Sequence, residues 1–185
     1  MCSSDLATDL LDPHGGQADL RDRLLRFLHP SSLRDDPTRL VRAARYAARL
    51  GFRLAPESAE QASRTLAAWP WTWRIGDPPG EAPAALATRL RMELELLLER
   101  EPWPRALACL QQWGGLALLD PALQADGRWH RRLRWAERLG LPKMAALVAV
   151  APDPLALAER LQLPHRQHRL LEGLQDLRQI GRAHV

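Results

Sequence analysis

Hydrophobic and polar residues recur along this chain with the spacing of amphipathic helices. After Asp36 the apolar positions return every three or four residues and form one stripe. That stripe consists of Leu40, Val41, Ala44, Ala47, Ala48 and Leu50. Asp35 or Asp36 is placed to cap this helix, Pro37 fits its first turn, and Gly51 is typical of a helix end. We therefore predict a helix over residues 36–50.

The same periodicity, interrupted by proline and glycine, predicts further helices along the chain. They cover residues 56–68, 84–100, 103–113, 128–139, 142–150, 154–161 and 164–179. Residues 17–24 fit one or two helical turns, residues 25–28 fit a short strand, and the tryptophan- and proline-rich residues 69–83 fit a loop. No alternation of strands with helices is visible. We predict an all-α fold with one or two short strands near the N-terminus.

Composition agrees with a helical protein of a reducing compartment. The chain has 185 residues and is 46% hydrophobic, which suffices for a core and excludes a disordered chain. No apolar run approaches the roughly 20 residues that a membrane span needs. Two cysteines, Cys2 and Cys109, are too few for a disulfide framework or a zinc site. We expect a cytoplasmic protein without a membrane partner.

The two ends of the chain are related at the level of their codons. Residues 2–6 and 179–183 can be encoded by base strings that are reverse complements, as a sequencing adapter read from both sides would be. The alternative is an ordinary terminus at each end. We expect residues 1–6 and 180–185 to be adapter-derived and to add nothing to the core.

Positive charge is concentrated in one stretch and is carried almost entirely by arginine, since Lys143 is the single lysine. Residues 21–53 hold nine arginines and three acids and carry a net charge of +6, which leaves −2 for the other residues. Guanidinium groups bind phosphates bidentately, so this stretch indicates phosphate contact. A second cluster at residues 128–138 has five arginines and one acid, and we expect a solvated helix face with i,i+4 pairing there. The alternative for this cluster is phosphate contact.

The spacing of Asp36, Arg39 and Arg42 puts them along one side of the first helical turns. A carboxylate beside a guanidinium offers a hydrogen-bond acceptor next to donors. Cytosine and adenine present an amino donor beside a ring-nitrogen acceptor, whereas uracil and guanine present the reverse order. Such a pair would reject uracil and guanine because they leave buried polar groups unpaired. The alternative is a helix cap with a first-turn salt bridge.

Several motifs, taken in order, resemble bacterial class II tRNA nucleotidyltransferases, the CCA-adding enzymes and their poly(A) polymerase relatives. These are Asp12-Pro13-His14-Gly15-Gly16, Asp19-Leu20, His29-Pro30, residues 35–52 and Arg89-Leu90-x-x-Glu93-Leu94. Asp35-Asp36-x-x-Arg39 resembles the nucleobase-recognition motif of that family. The resemblance covers residues 10–119, and the combination is specific although each piece alone is weak.

The resemblance implies roles for the residues of this motif. Asp36 and Arg39 would read the base edge of an incoming CTP or ATP. Arg42 and Arg45 would contact the phosphates or the ribose of that nucleotide, and Asp35 would orient Arg39.

The resemblance also implies a domain layout. Residues 7–29 would end a head–neck junction, residues 30–100 would form the neck with the nucleobase-recognition helix, and residues 101–179 would belong to a helical body. Arg89 and Glu93 would brace the neck structurally.

One part of the family pattern is missing from this sequence. The catalytic head of the family carries a glycine-rich loop and an Asp-x-Asp pair that binds two divalent metals, and no Asp-x-Asp pair occurs here. We expect a fragment of an enzyme that adds C and/or A to tRNA 3′ ends from CTP and ATP. Mg²⁺ would act in the full-length parent, and the fragment would bind no metal, hold no catalytic residue and be inactive alone. The alternatives are a poly(A) polymerase of the same class and a non-catalytic helical RNA-binding module.

Overall fold

The structure is a computed structural model that describes residues 11–68 and 86–183. The first helices are α1 (Gly16–Asp22), α2 (Ser32–Asp35), α3 (Thr38–Leu50) and α4 (Pro56–Ala67). They are followed by α5 (Leu86–Arg100), α6 (Trp103–Gln112), a 3-10 helix (Gly115–Leu118), α7 (Pro121–Ala125) and α8 (Trp129–Arg138). The last helices are α9 (Lys143–Val148), α10 (Pro154–Arg160) and α11 (His165–Ala183). The strands are β1 (Leu24–Leu25) and β2 (Arg53–Leu54), so the prediction of an all-α fold with short strands is confirmed.

The two strands pair in parallel on either side of α3 in the chain. Leu24 lies opposite Arg53 and Leu25 lies opposite Leu54. The sequence predicts β1 over residues 25–28, but the ladder ends at Leu25. Beyond it, side chains of α4 replace the partner strand, because the Phe27 amide donates to Ser58 Oγ at 2.9 Å. This ladder fixes the segment that leads into α2 against the segment that leaves α3.

Helix α3 forms where the sequence places it, and both of its ends have a local cause. At the start, Asp36 Oδ1 accepts a hydrogen bond from the backbone N–H of Thr38. At the end, Gly51 adopts a left-handed conformation with φ of 76° and donates to the Ala47 carbonyl. The predicted apolar stripe is buried except for Leu50, which is 52% exposed. Leu50 lies about 120° around the helix from the centre of the stripe, so it points away from the core.

The core of the described residues is organised around α3, which packs against α5 and α6. From α5 the buried leucines are Leu86, Leu90, Leu94, Leu97 and Leu98. The small side chains Ala44, Ala47 and Ala48 let the neighbouring helices approach α3 closely, because no long side chain separates them. The opposite side of α3, which carries its arginines, is left for other contacts.

Short elements are the part of the fold that the apolar pattern does not predict. Helix α2, helix α7 and the 3-10 helix each have five residues or fewer, too few to show a period. For α7 a local signal is present, since Asp120 Oδ1 accepts from the Ala122 amide at 2.7 Å and Pro121 opens the helix. The same pattern at Asp153 and Pro154 opens α10.

Two expectations concern residues at the limits of the described part. The predicted loop at 69–83 and residues 1–6, which we expect to be adapter-derived, lie outside the described residues. At the other end, α11 continues through Ala183 and Ile180 is 56% exposed on it. Among residues 11–68 and 86–183, no helix combines the length and the hydropathy that crossing a bilayer would require.

Candidate functional site

The arginines Arg39, Arg42, Arg45 and Arg49 follow one another along one side of α3. Their spacing of three or four residues places them on successive turns, as the sequence predicts. Arg39, Arg42 and Arg49 are exposed, whereas only 11% of the Arg45 side chain is exposed. Four like charges on one helix face repel one another unless acids from elsewhere approach them.

Two carboxylates from outside α3 supply that compensation. Glu93 of α5 accepts from Arg42 through Nε at 3.1 Å and Nη2 at 3.0 Å, and from Arg45 Nη1 at 2.5 Å. Glu101, between α5 and α6, accepts from Arg45 Nε at 3.3 Å and from Arg49 Nε at 3.0 Å. A further hydrogen bond joins Arg49 Nη2 to Glu101. These bonds form an ion-pair ladder between α3 and the chain around α5.

Glu101 is the most deeply placed member of this ladder, with 1% of its side chain exposed. Hydrogen bonding from Arg49 lowers the pKa of the Glu101 carboxyl against the opposing effect of burial, and the charges of Arg49 and Arg45 lower it further. The sequence pattern does not single out Glu101. Its only signal is a carboxylate directly before Pro102 at the start of α6, which says nothing about its partners.

Acids from outside residues 21–53 neutralise part of the positive charge of that stretch. The local count of nine arginines against three acids omits Glu93, Glu101 and Glu57, which lie outside the counted residues but reach its arginines. Arg42 and Arg45, expected to contact a nucleotide, are held here by carboxylates. Glu93, expected to be structural, is the residue that holds both.

Arg39 differs from the other arginines of α3. Within the described part of the chain, its guanidinium has no hydrogen bond and no ion pair to another side chain. It lies on the wall of a cleft of about 320 Å³. The cleft is lined by Leu25, Arg26, Phe27, Leu28, His29, Ser32, Arg39, Arg42, Ala43 and Tyr46. Arg39 thus presents exposed donors that no described side chain occupies, beside an apolar and aromatic surface.

The two aspartates before α3 are oriented by different partners. Asp36 Oδ1 accepts from the Thr38 amide at 3.1 Å and from Thr38 Oγ1 at 2.6 Å, while Oδ2 lies 3.8 Å from Arg89 Nη1. Asp35 Oδ2 accepts from Ser31 Oγ at 2.9 Å. The expected contact of Asp35 with Arg39 is not formed, because Asp35 ends α2 and turns back toward its first turn. No ion pair joins Asp36 to Arg39 within residues 11–68 and 86–183 either.

The wall of the cleft opposite α3 is held by its own polar contacts. Arg26 donates to both oxygens of Asp19 and to Glu57 Oε2, and these hydrogen bonds raise the Arg26 pKa. Gln61 Nε2 donates to the His29 carbonyl at 2.8 Å and to the Pro30 carbonyl at 2.5 Å. These contacts tie the cleft wall to α1 and α4.

Other candidate residues do not assemble a second reactive centre in the described part of the chain. His165 and His168 border a groove with acids, but no cluster of three or more His, Cys, Asp or Glu side chains suited to a metal occurs among the described residues. Cys109 is half-buried, and burial raises the pKa of its thiol. Trp103 is buried against Trp129 with ring centroids 6.4 Å apart, which is a packing contact within the core.

Comparison with known sequences finds clear relatives, although no family model matches the chain. The CC-adding tRNA nucleotidyltransferase of Deinococcus radiodurans is 41% identical over 175 residues, which cover 90% of this chain and 41% of that protein. The CCA-adding enzyme of Bordetella bronchiseptica is 33% identical over 160 residues, covering 84% of this chain and 41% of that protein. The chain thus spans about two fifths of the length of these curated relatives.

Solved structures show the same fold. A tRNA nucleotidyltransferase complexed with a primer tRNA and an incoming ATP analog superposes with a TM-score of 0.62. The match covers 89% of this chain and 50% of that one, at 21% sequence identity. The helical arrangement described above is therefore shared with one half of a larger protein.

Proposed function

Because this chain belongs to the class II tRNA nucleotidyltransferase family, we propose that it is the nucleotide-selecting and RNA-holding part of an enzyme that adds C and/or A to tRNA 3′ ends. The substrates of the whole enzyme would be CTP and/or ATP together with tRNA. Its place of action would be the cytoplasm. The remaining length of the enzyme would supply the chemistry of phosphoryl transfer.

We place the nucleotide beside Arg39 because of one observation. Arg39 is the arginine of α3 whose guanidinium has no protein partner in the described residues, and it faces the cleft. Because this exposed guanidinium is not occupied by another side chain, it is available to a ligand acceptor, and hydrogen bonds from a charged donor are among the stronger ones. Cytosine N3 or adenine N1 offers such an acceptor. The apolar residues Leu25, Phe27 and Tyr46 would cover the base.

Asp36 would complete the selection of the base. Thr38 occupies Oδ1 of Asp36 with two hydrogen bonds, which leaves Oδ2 to accept from an amino group. CTP and ATP carry that amino group, whereas UTP and GTP carry a carbonyl oxygen at the corresponding position. A carbonyl facing a carboxylate repels it, so the pair Asp36 and Arg39 would favour C and A.

The remaining residues would act around this pair. Arg42 has its Nη1 free of Glu93 and lines the cleft, so it would reach the ribose or the phosphates. Arg45 would fix α3 against Glu93 and Glu101, and it would contact the nucleotide only by exchanging one of those partners. Arg89 would hold the charge of Asp36 in place.

Asp35 would contribute by a different route from the one its resemblance implies. Its hydrogen bond to Ser31 closes α2 and thereby sets the start of α3. Glu93 would brace the site by holding Arg42 and Arg45 together.

Metal chemistry would belong to another part of the enzyme. The described residues do not fit a divalent cation, because none of them form a cluster of three or more ligating side chains. Mg²⁺ would act where the relatives extend beyond the length matched here.

The test of this proposal uses the complete reading frame that contains the chain and a tRNA that lacks its terminal nucleotides. Incorporation of labelled CTP or ATP is expected, and the chain of 185 residues alone should incorporate neither with magnesium present. In the complete protein, Asp36→Ala should raise misincorporation of UTP and GTP more than it weakens overall nucleotide binding. Unchanged selectivity in Asp36→Ala would contradict the proposed site, and absence of incorporation by the wild-type protein would contradict the proposed activity.

A further inference from the structure

Some charged side chains of helix α8 contact the rest of the protein, and the others face solvent. Arg132 points inward, where Nη2 donates to Asp126 at 2.6 Å and Nε donates to the Ala146 carbonyl at 2.7 Å. Glu137 accepts from Trp103 Nε1 at 3.2 Å and lies 3.5 Å from Lys143 Nζ. Asp126 and Glu137 are therefore already bonded to other groups of the protein.

The other side of α8 carries Arg131, Arg134, Trp135 and Arg138, which we call the outer face of α8. Their spacing of three, four and seven residues puts them on adjacent turns of one surface. Trp135 is 54% exposed, and the Arg138 guanidinium lies 5.4 Å from its ring centroid. Within residues 11–68 and 86–183, the three arginines have no ion pair with an acid.

This arrangement is unfavourable for the isolated chain. Arg131 lies in the first turn of α8, where the helix dipole disfavours a cation, and that turn contains no acid. Arg131 with Arg134, and Arg134 with Arg138, are like-charged neighbours that repel. A large indole left in water adds to the cost. The sequence pattern predicts a solvated helix face paired at i,i+4, but the acids that such pairing needs are not on this face.

From these contacts we propose that the outer face of α8 binds an unpaired RNA segment, separately from the cleft beside Arg39. The guanidinium groups of Arg131 and Arg134 bind successive phosphates, since arginine matches phosphate oxygens bidentately. The Trp135 indole stacks on one base, and Arg138 holds the indole in place. The proposal rests on the proposed function only for the choice of RNA as the polyanion.

RNA suits this surface better than a protein partner does. An acidic protein surface would satisfy the arginines, but it would leave the exposed indole face without a planar group to cover it. A nucleotide supplies a phosphate and an aromatic ring within one repeating unit, as the alternation of arginine and tryptophan requires.

The experiment measures binding of the whole chain to a fluorescein-labelled single-stranded RNA of mixed sequence by anisotropy at several salt concentrations. Trp135→Ala should weaken binding about tenfold, and Trp135→Phe should restore most of it because a ring remains. Arg131→Ala combined with Arg134→Ala should lower the slope of log affinity against log salt by about 1.4. These side chains are exposed, so circular dichroism should show unchanged helix content.

The matched control removes two exposed arginines of α11, Arg166→Ala with Arg169→Ala, which lower the net charge equally but have no exposed tryptophan within one turn. This control should change affinity less than twofold. Equal losses in both double variants, or wild-type affinity in Trp135→Ala, would overturn the proposal. Binding of polyglutamate as tight as that of RNA would also overturn it, in favour of a protein partner. The proposed function is tested separately by nucleotide incorporation. If the wild-type chain fails to bind RNA while the complete enzyme incorporates nucleotides normally, the proposal for the outer face of α8 is wrong and the proposed function stands.

Discussion

Thr38 and Asp36 form a closed local pair: Thr38 donates both its backbone N–H, at 3.1 Å, and its hydroxyl, at 2.6 Å, to the same oxygen of Asp36. Thr38 is fully buried, so its hydroxyl has no competing water. The pair therefore fixes the rotation of the carboxylate and directs its other oxygen toward Arg89. A helix cap of this kind orients a binding group as well as beginning a helix.

Replacing Thr38 by valine should separate the beginning of the helix from the orientation of the Asp36 carboxylate. Valine preserves the shape of threonine and the backbone N–H bond but removes the hydroxyl. We expect a loss of about 1 kcal/mol in the free energy of unfolding of the chain, measured by urea denaturation. In the complete enzyme, selectivity for CTP and ATP over UTP and GTP should fall.

The control for this variant is Thr38→Ser, which keeps the hydroxyl and loses only the methyl group. Its selectivity should match the wild type although its stability also falls, by about 0.8 kcal/mol. Equal selectivity in Thr38→Val and the wild type would show that the hydroxyl does not position Asp36.

Glu101→Gln should destabilise the chain, because it removes the charge that Arg45 and Arg49 share. Arg45 keeps Glu93 and Arg49 is half-exposed to water, so we expect a loss of about 2 kcal/mol rather than the larger cost of a fully buried pair. Urea denaturation at neutral pH measures it. Glu60→Gln serves as the control, since its pair with Arg64 is exposed on both sides and should contribute less than about 0.5 kcal/mol.

Glu101 also makes the free energy of unfolding depend on pH, in a direction that follows from its lowered pKa. The pKa of Glu101 is lowered in the folded chain, so its contribution is fully present above the pKa of the unfolded state and is lost as pH falls through the folded value. The difference in stability between wild type and Glu101→Gln should therefore shrink as the pH is lowered below the usual range of glutamate. A difference that stays constant down to strongly acidic pH would contradict the ladder.

Arg39→Ala and Arg45→Ala should differ in their effect on stability, although the two residues lie less than two turns apart on one helix. Arg39 is exposed and has no protein partner in the described residues, so its loss should change the free energy of unfolding by less than about 0.5 kcal/mol. Arg45 bonds to both Glu93 and Glu101, so its loss should cost about 2 kcal/mol. In the complete enzyme, Arg39→Ala should raise the KM for CTP or ATP. A large loss of stability in Arg39→Ala would mean that its guanidinium is part of the fold.

Deleting residues 1–6 and 180–185 should leave the melting temperature within about 2 °C of the full chain. Ile180 is exposed, and helix ends fray at little cost in stability. Differential scanning calorimetry of both forms measures the change. A matched truncation that also removes Leu171, which is buried, should lower Tm clearly. A large decrease in the first truncation would show that these residues belong to the natural protein.

Local signals explain what could be predicted from the sequence. The helix over residues 36–50 follows from an aspartate that accepts from the Thr38 amide, an apolar period and a terminal glycine, all within one segment. Its boundaries agree with α3 to within two residues. The missed elements, β2 and the helices of five residues or fewer, have either a partner far along the chain or too few residues for a period.

The site required information that no local pattern contains. The amino-acid order was enough to place arginines along one side of α3 and Asp36 at its start, because helix geometry and capping depend on neighbouring residues. Which arginine stays available for a ligand depends on how the helices pack. Packing of α5 and α6 on α3 brings Glu93 and Glu101, 48 to 56 residues away in sequence, onto Arg45 and leaves Arg39 facing the cleft. Charge pairing depends on distances of a few ångströms in space, and the order of residues along the chain does not specify them.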